Sequence, residues 1–182
     1  SRGLGDVYKR QVNGVVMVPE DRKLQGIIPR MSVGRNISIG SLDQITNRLG
    51  FVNTRREEQI GLEGKANFNI KTPDLEKPIV ELSGGNQQKA IVARWMSTKP
   101  EVLILDEPTK GIDVGAKSEF YNMICEFAKE GLAVILISSE LPEVIGLSDR
   151  IIVMRGRRIV GEISAKDATE EKLLSMAMME EA

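Results

Sequence analysis

Two adjacent carboxylates at the end of an apolar run are the residues best suited to chemistry. The run VLILDEPT, residues 102–109, places Asp106 and Glu107 directly after four apolar residues and before a proline that stops a strand. Ligands of open α/β sheets bind at the carboxyl ends of the strands. Asp106 could hold Mg²⁺ through water, and Glu107 could act as general base on a water in line with a γ-phosphate. Taken alone, the pair could equally cap a strand.

A glycine-rich segment upstream could bind phosphate. LSGGNQQK, residues 82–89, puts Ser83 at the N-cap position of a predicted helix, followed by Gly84 and Gly85. Glycines let backbone N–H groups approach a ligand closely, and the positive end of a helix favours an anion. An ordinary turn before a helix has the same composition, so this segment alone is weak evidence.

The elements that would position these residues alternate between strands and helices. Predicted strands cover 14–18, 102–105, 133–137, 151–154 and 158–163, the last two as a hairpin. Predicted helices cover 32–39, 55–68, 83–96, 114–129, 141–145 and 167–178. Unbroken apolar strands between helices are typical of a parallel sheet covered on both faces. The stretch from about 27 to 96 lacks such a strand, which predicts a mostly helical insertion.

Composition excludes several classes of function. The 182 residues carry a formal net charge of −1, which argues against a nucleic-acid partner. The chain has no histidine, so histidine acid/base chemistry, Ser-His-Asp triads and histidine metal sites are excluded. The single cysteine, Cys125, cannot form an intrachain disulfide. No apolar run approaches the length that a bilayer requires.

The order and spacing of the two segments are far more specific than either segment alone. Together they resemble the signature motif and the Walker B strand of an ATP-binding cassette (ABC) ATPase. Further segments resemble the family's Q-loop, D-loop, switch loop and closing strand pair: VPEDRKLQG at 18–26, KGID at 110–113, ILISSE at 135–140 and LSDRIIVMRGRRIVGEI at 147–163. The segments GGNQQK, KGIDVGAK and SSELPEV are similar in sequence to the second of the two cassettes that are fused in ribose- and galactose-type importer ATPases.

This resemblance implies a P-loop NTPase-like α/β fold, with a mainly parallel sheet flanked by helices and an inserted helical subdomain. It implies ATP and Mg²⁺ as ligands. It implies a second cassette and membrane permease subunits as partners, and a sugar-binding protein indirectly, at the cytoplasmic face of the membrane. It implies that Glu107 and Ser139 are catalytic and that Asp106 binds Mg²⁺ through water. It implies that the signature residues contact ATP held by a partner cassette: Ser83, Gly84, Gly85 and Asn86. Glu20 would occupy the Q-loop position, and Asp113 would belong to the D-loop.

The chain departs from the family pattern at its front. It contains no G-x-x-x-x-G-K-[ST] phosphate loop, since the Gly64–Lys65 pair lacks the upstream glycine. We therefore expect a fragment without the Walker A portion. Residues 1–11 would be a leader outside the family, from cloning or as a disordered terminus. Residues 12–182 would be a partial nucleotide-binding domain, with the helical signature subdomain at about 27–97.

Three substitutions in motif positions suggest an asymmetric mechanism. Glu20 stands where the family has glutamine and cannot donate an amide hydrogen bond. Ser139 replaces the usual histidine, and Asn86 replaces the commoner glutamine. This cassette would then chiefly donate its signature motif, and its own Asp106–Glu107 site would hydrolyse poorly. The alternatives are a soluble ABC ATPase that acts on nucleic acid or the ribosome, and a non-hydrolytic cassette module.

Overall fold

The computed structural model describes residues 13–178, which divide into two units after Ile135. Three strands form one sheet in the order β1–β2–β3, and two further strands pair as a hairpin. The strands are β1 Val15–Val18, β2 Val102–Asp106, β3 Ala133–Ile137, β4 Arg150–Arg155 and β5 Arg158–Ser164. The helices are α1 Val33–Ser38, α2 Leu42–Ile45, α3 Thr54–Asn67, α4 Gly84–Met96, α5 Val114–Lys129, α6 Leu141–Leu147 and α7 Glu170–Met178. The predicted leader, residues 1–11, lies outside the described residues.

The parallel pairing of β1 with β2 decides which side chains share an edge of the sheet. Val18 pairs with Leu105 at the carboxyl ends of the two strands. Residues just past these ends therefore emerge at the same edge. Glu20 lies two residues beyond β1, and Asp106 and Glu107 lie at the end of β2. The predicted α/β class is confirmed, and the register brings together the acids that the sequence places 86 and 87 positions apart.

The prediction that the sheet is covered on both faces is wrong for the described residues. One face is buried, with Val16, Val18, Leu103 and Leu105 at most 3% exposed, and α4 packs against β1. The other side is open, because Met17 is 42% exposed and Ile135 of β3 is 50% exposed. An apolar run shows that both faces of a strand tolerate burial. It does not show that a second layer is present to cover each face.

The segment between β1 and β2 is helical, as predicted. Side chains of Ser32, Asn53 and Ser83 accept hydrogen bonds from backbone N–H groups in the first turns of α1, α3 and α4. Such caps satisfy donors that have no partner inside the helix. The short helix α2 and a π-helical turn at Arg22–Gly26 were not predicted from the sequence. The boundaries of a separate helical subdomain at 27–97 stay a prediction.

Helix α4 is buried on nearly every side and carries a buried cation. Arg94 donates from Nε to the Asn36 carbonyl oxygen at 2.6 Å and from Nη1 to the Gly26 carbonyl oxygen at 2.7 Å. Its Nη2 donates to Asn36 Oδ1 at 2.9 Å. Burial lowers the pKa of Arg94 to about 10, so the side chain stays charged at neutral pH. This network ties the segment after β1, helix α1 and helix α4 together.

The second unit, residues 136–178 as described, has a small core of its own. Ile151 and Val153 of β4 and Leu173 of α7 form its buried cluster. The strands β4 and β5 pair antiparallel around a turn in which Gly156 and Arg157 both have positive φ. The predicted hairpin is therefore confirmed. Within residues 13–178, no helix is both long and apolar enough to cross a bilayer.

Candidate functional site

The acidic strand tip, which we define as Glu20, Asp106 and Glu107, lies at one edge of the sheet. Asp106 is the last residue of β2 and is half-buried. Burial, and then the negative charges of Glu20 and Glu107, raise the pKa of Asp106 above its ordinary value. Glu107 adopts φ +46°, a left-handed conformation that is costly for a residue with a Cβ. The tip therefore concentrates negative charge and a strained backbone at one place.

A cation balances part of this charge. Lys110 Nζ donates to Glu20 Oε1 at 2.6 Å, and this bond raises the pKa of Lys110. Arg22 donates from Nη1 to the Lys110 carbonyl oxygen at 2.8 Å and from Nη2 to the Gly111 carbonyl oxygen at 3.2 Å. Sequence reasoning missed both cations. The available signal was the pattern Glu20-Asp21-Arg22, in which an acid and a base two positions apart follow a strand.

The site suits Mg²⁺ only together with a ligand. Among residues 13–178, no group of three or more acidic, cysteine or histidine side chains is arranged to hold a metal ion by itself. Mg²⁺ keeps several waters and uses one or two carboxylates together with substrate phosphates. Asp106 fits that requirement, because its oxygens are hard ligands and a cation would offset the burial and the neighbouring anions that raise its pKa.

The signature segment, which we define as residues 83–86, forms the N-terminus of α4. Ser83 is exposed, and its Oγ accepts hydrogen bonds from the Asn86 backbone N at 3.5 Å and from Asn86 Nδ2 at 2.9 Å. Asn86 Oδ1 accepts from the Lys71 backbone N at 2.8 Å. The Asn86 amide therefore joins the serine to the preceding loop. It orders the segment before any ligand is present.

Packing constrains the glycines of the segment as well, Gly85 more strictly than Gly84, because the atom nearest Gly84 is the far end of the flexible Arg22 side chain. A Cβ on Gly84 would lie 2.7 Å from Arg22 Nη2, and a Cβ on Gly85 would lie 2.9 Å from the Cβ of Ala116. Real Cβ atoms essentially never approach other atoms that closely. The close contact at Gly85 brings the first turn of α5 against the start of α4. The sequence reading attributed the glycines to ligand approach alone, and it missed this second reason.

An open groove of about 310 Å³ borders the signature segment. Its polar lining consists of Lys71, Ser83, Asn86, Lys89, Asp113 and Glu119. Lys89 is buried and donates to Glu119, which lowers the pKa of that carboxyl. Lys71 stays 69% exposed at the mouth of the groove. A larger groove of about 1020 Å³ between α3, α4 and α5 contains none of the predicted site residues.

Asp113 and Ser139 belong to different surroundings. Asp113 Oδ1 accepts a hydrogen bond from the Ala116 backbone N at 2.9 Å and so caps α5 beside the groove. Ser139 lies in the second unit, between β3 and α6. Its neighbour Ser138 donates to the buried Glu143 at 2.5 Å and accepts from the Glu140 backbone N at 3.0 Å. Sequence reasoning missed Ser138, which orders this loop.

Solved structures with this fold are ATP-binding cassettes. One is the dimeric post-hydrolysis state of the cassette MJ0796 bound to ADP and Pi, with a TM-score of 0.71 and 18% identity over 90% of this chain and 68% of that one. Another is cbiO1 from Clostridium perfringens, part of the ABC transporter complex cbiONQ, with a TM-score of 0.71 and 23% identity over 91% and 63%. The sequence profile described as ABC transporter matches residues 5–110, more than half of the chain. The chain therefore belongs to the ABC transporter family.

Two curated relatives are similar to this chain over most of its length. The chain is 54% identical, over 92% of its length, to the arabinose import ATP-binding protein AraG of Mannheimia succiniciproducens. It is 46% identical, over 98% of its length, to the xylose import ATP-binding protein XylG of Pectobacterium atrosepticum. These matches cover 33% and 35% of the two relatives, so the chain spans about a third of their length.

Proposed function

We propose that this chain is an ATP-binding and ATP-hydrolysing part of an ABC importer for a monosaccharide. The names of the relatives, arabinose and xylose import ATP-binding proteins at 54% and 46% identity, support a sugar as cargo. The proposed partners are a second cassette, membrane permease subunits and, indirectly, a sugar-binding protein. The proposed location is the cytoplasmic face of the membrane, and no nucleic-acid partner is expected.

The observation that carries this proposal is the exposure of Ser83 in the signature segment. Ser83 is exposed at the start of a 13-residue helix, and the groove beside it opens outward. Phosphate groups held by another cassette could therefore approach the helix start at the exposed Ser83 and the half-buried Gly84, whereas Gly85 is buried. Had this segment been sealed inside the unit, no nucleotide from outside could reach it.

The acidic strand tip would supply the hydrolytic groups of this cassette. Glu107 would accept a proton from the attacking water, and Asp106 would hold Mg²⁺ through water. Mg²⁺, when bound with ATP, offsets the negative charge that develops on the transferred phosphate. Glu20 can accept hydrogen bonds from water in the ion's shell, but it cannot donate one to a phosphate. The Ser139 hydroxyl would stabilise the phosphate less well than the imidazole that the family usually has.

These roles support an unequal division of labour between two cassettes. The signature segment is intact and its Ser83 is exposed, whereas the Q-loop and switch positions of this cassette carry Glu20 and Ser139. The cassette would then contribute most by contacting ATP that its partner holds. Its own hydrolytic site would contribute less to turnover.

The test replaces each site separately in the full-length protein with its native partners. Ser83→Arg should reduce ATP hydrolysis and the uptake of labelled arabinose, xylose or other monosaccharides to background, because the arginine fills the phosphate approach. Glu107→Gln should leave a larger part of the turnover. Equal loss in both variants, with melting temperatures unchanged, would show that the asymmetry is wrong. Wild-type protein that neither hydrolyses ATP nor supports uptake of any sugar tested would reject the function itself.

A further inference from the structure

The ion pair between Lys110 and Glu20 joins two segments that sequence reasoning treated separately. We propose that Lys110 is a positioning residue that neutralises Glu20, so that a carboxylate can occupy the Q-loop position without repelling the polyphosphate of ATP. This inference rests on the proposed function. It assigns a role to Lys110, the first residue of the KGID segment, to which the family resemblance gave no role of its own.

The geometry of the pair supports a direct charge contact. Lys110 Nζ lies 2.6 Å from Glu20 Oε1, and the two side chains are 64% and 50% exposed. They therefore lie at a surface that a ligand can reach. The Lys110 backbone N also donates to the Glu107 carbonyl oxygen at 3.1 Å, in a tight turn directly after the acidic strand tip. The ammonium is thus held against Glu20 and close enough to Glu107 for the two charges to interact.

Arg22 makes this pair more than a chance contact between flexible side chains. Its guanidinium holds the carbonyl oxygens of Lys110 and Gly111, and it also packs against Gly84 of the signature segment. Glu20 and Arg22 belong to the same short segment, and they bind the 110–111 turn through the Lys110 side chain and through its backbone carbonyl oxygens, respectively. An isolated exposed ion pair must immobilise two long side chains on its own. Here the backbone from which Lys110 extends is already fixed.

The charge balance explains why such a residue is needed. Glu20, Asp106 and Glu107 bring three carboxylates to the carboxyl ends of the paired strands β1 and β2. ATP adds further negative charge. A neutral amide at position 20 would require no counter-charge, whereas a glutamate does. The benefit of Lys110 should therefore depend on the charge of residue 20.

The experiment is a double-mutant cycle on MgATP binding, carried out in the full-length protein with its native partners. Lys110→Ala should weaken MgATP binding about fivefold at low ionic strength, the effect of one unscreened unit charge at about 4 Å in water. High salt should shrink the difference, because exposed charges are screened. When Glu20→Gln is combined with Lys110→Ala, at least half of the lost MgATP affinity, measured as the logarithm of Kd, should be regained. Lys110→Arg should bind nearly as the wild type does.

A matched control separates this role from general stabilisation. Lys129 forms an equally exposed pair with Glu126 at 2.7 Å, at the far end of α5, and Lys129→Ala should leave MgATP binding unchanged. The inference is overturned if Lys110→Ala binds like the wild type, or if Glu20→Gln recovers nothing in the Lys110→Ala background. Melting temperatures of all variants reveal a purely structural effect. Absence of MgATP binding in the wild type would instead reject the proposed function.

Discussion

The acidic strand tip and the signature segment are both small and accessible, yet they are built in opposite ways. At the tip, three carboxylates lie together, the ionisation of Asp106 is opposed and Glu107 has a left-handed backbone. In the signature segment, Ser83 and Asn86 bond to each other, and tight packing against Ala116 requires Gly85. The tip has unfavourable charge repulsion and backbone strain, whereas the segment is ordered by its own hydrogen bonds and packing.

The contrast indicates how each region would respond to a ligand. A cation relieves the repulsion at the tip, so its properties should depend on charge, pH and salt. The segment is ordered before a ligand arrives, so its properties should depend on volume and on the placement of α4. Charge substitutions should therefore act mainly at the tip, and substitutions that change size should act mainly in the segment.

The largest effect is expected when the charge of the tip is reduced at Asp106. In the full-length protein with the partner cassette's hydrolytic site inactivated, Asp106→Asn should lower the remaining ATP hydrolysis by about a thousandfold, because the proposed carboxylate ligand for Mg²⁺ is lost. The same change should stabilise the fold slightly at neutral pH, by about 0.5 kcal/mol after solvent screening. Hydrolysis assays and urea unfolding measure the two effects. A loss of stability would contradict the idea that the tip is electrostatically strained.

The pH dependence of the Asp106 variant sharpens this test. The pKa of Asp106 is raised in the folded protein, so its contribution to stability is fully present below the unfolded pKa and is lost as the pH rises through the folded pKa. The advantage of Asp106→Asn should therefore be seen at neutral pH and disappear as the pH falls below the folded pKa. An advantage that grows in acid would be the opposite sign.

The second largest effect is expected at Arg94, whose hydrogen bonds fix helix α4, the helix that begins with the signature segment. Arg94→Met should reduce the free energy of unfolding by about 3 kcal/mol, because it removes three hydrogen bonds to acceptors of Asn36 and Gly26. Urea unfolding monitored by the fluorescence of Trp95, the single tryptophan, measures the change. Arg94→Lys should recover part of the loss. A variant as stable as the wild type would show that the network contributes little.

Arg94 also illustrates what the sequence leaves open. The helix from 83 to 96, its serine cap and the strand before Asp106 were predicted because local patterns determine them: apolar spacing, a capping residue and a proline stop. The burial of Arg94 depends on Asn36 and Gly26, which lie 58 and 68 positions away. A cation within an apolar helical face suggests a buried partner, but the sequence alone does not identify that partner.

The candidate site was predictable to a similar extent. The register of β1 and β2 confirmed that the carboxyl ends of the strands share an edge, which general rules for parallel sheets predict. The contacts of Lys110 with Glu20 and of Arg22 with Gly111 were not predictable, because the partners lie 90 and 89 positions apart in the sequence and meet only in the folded chain. The two-sided coverage of the sheet was wrong for a related reason: an apolar strand does not specify its covering layer.

A third prediction concerns volume in the signature segment. Gly85→Ala should cost about 2 kcal/mol, because the new Cβ would lie 2.9 Å from the Cβ of Ala116. Combining it with Ala116→Gly should recover about 1 kcal/mol relative to the sum of the two single changes. Unfolding measurements on all four proteins give this coupling. Strict additivity would mean that the two helices can separate at no cost, and that the segment is not held by packing.

The smallest effect tests the backbone strain at the tip. Glu107→Gly should be more stable than Glu107→Ala by about 1 kcal/mol, because φ +46° suits glycine and disfavours any residue with a Cβ. Both variants lose the carboxylate, so their difference in unfolding free energy isolates the backbone. The same pair of changes at Glu130, where φ is −75°, should favour alanine or be neutral. Equal stabilities of the two Glu107 variants would leave charge as the sole source of tension at the strand tip.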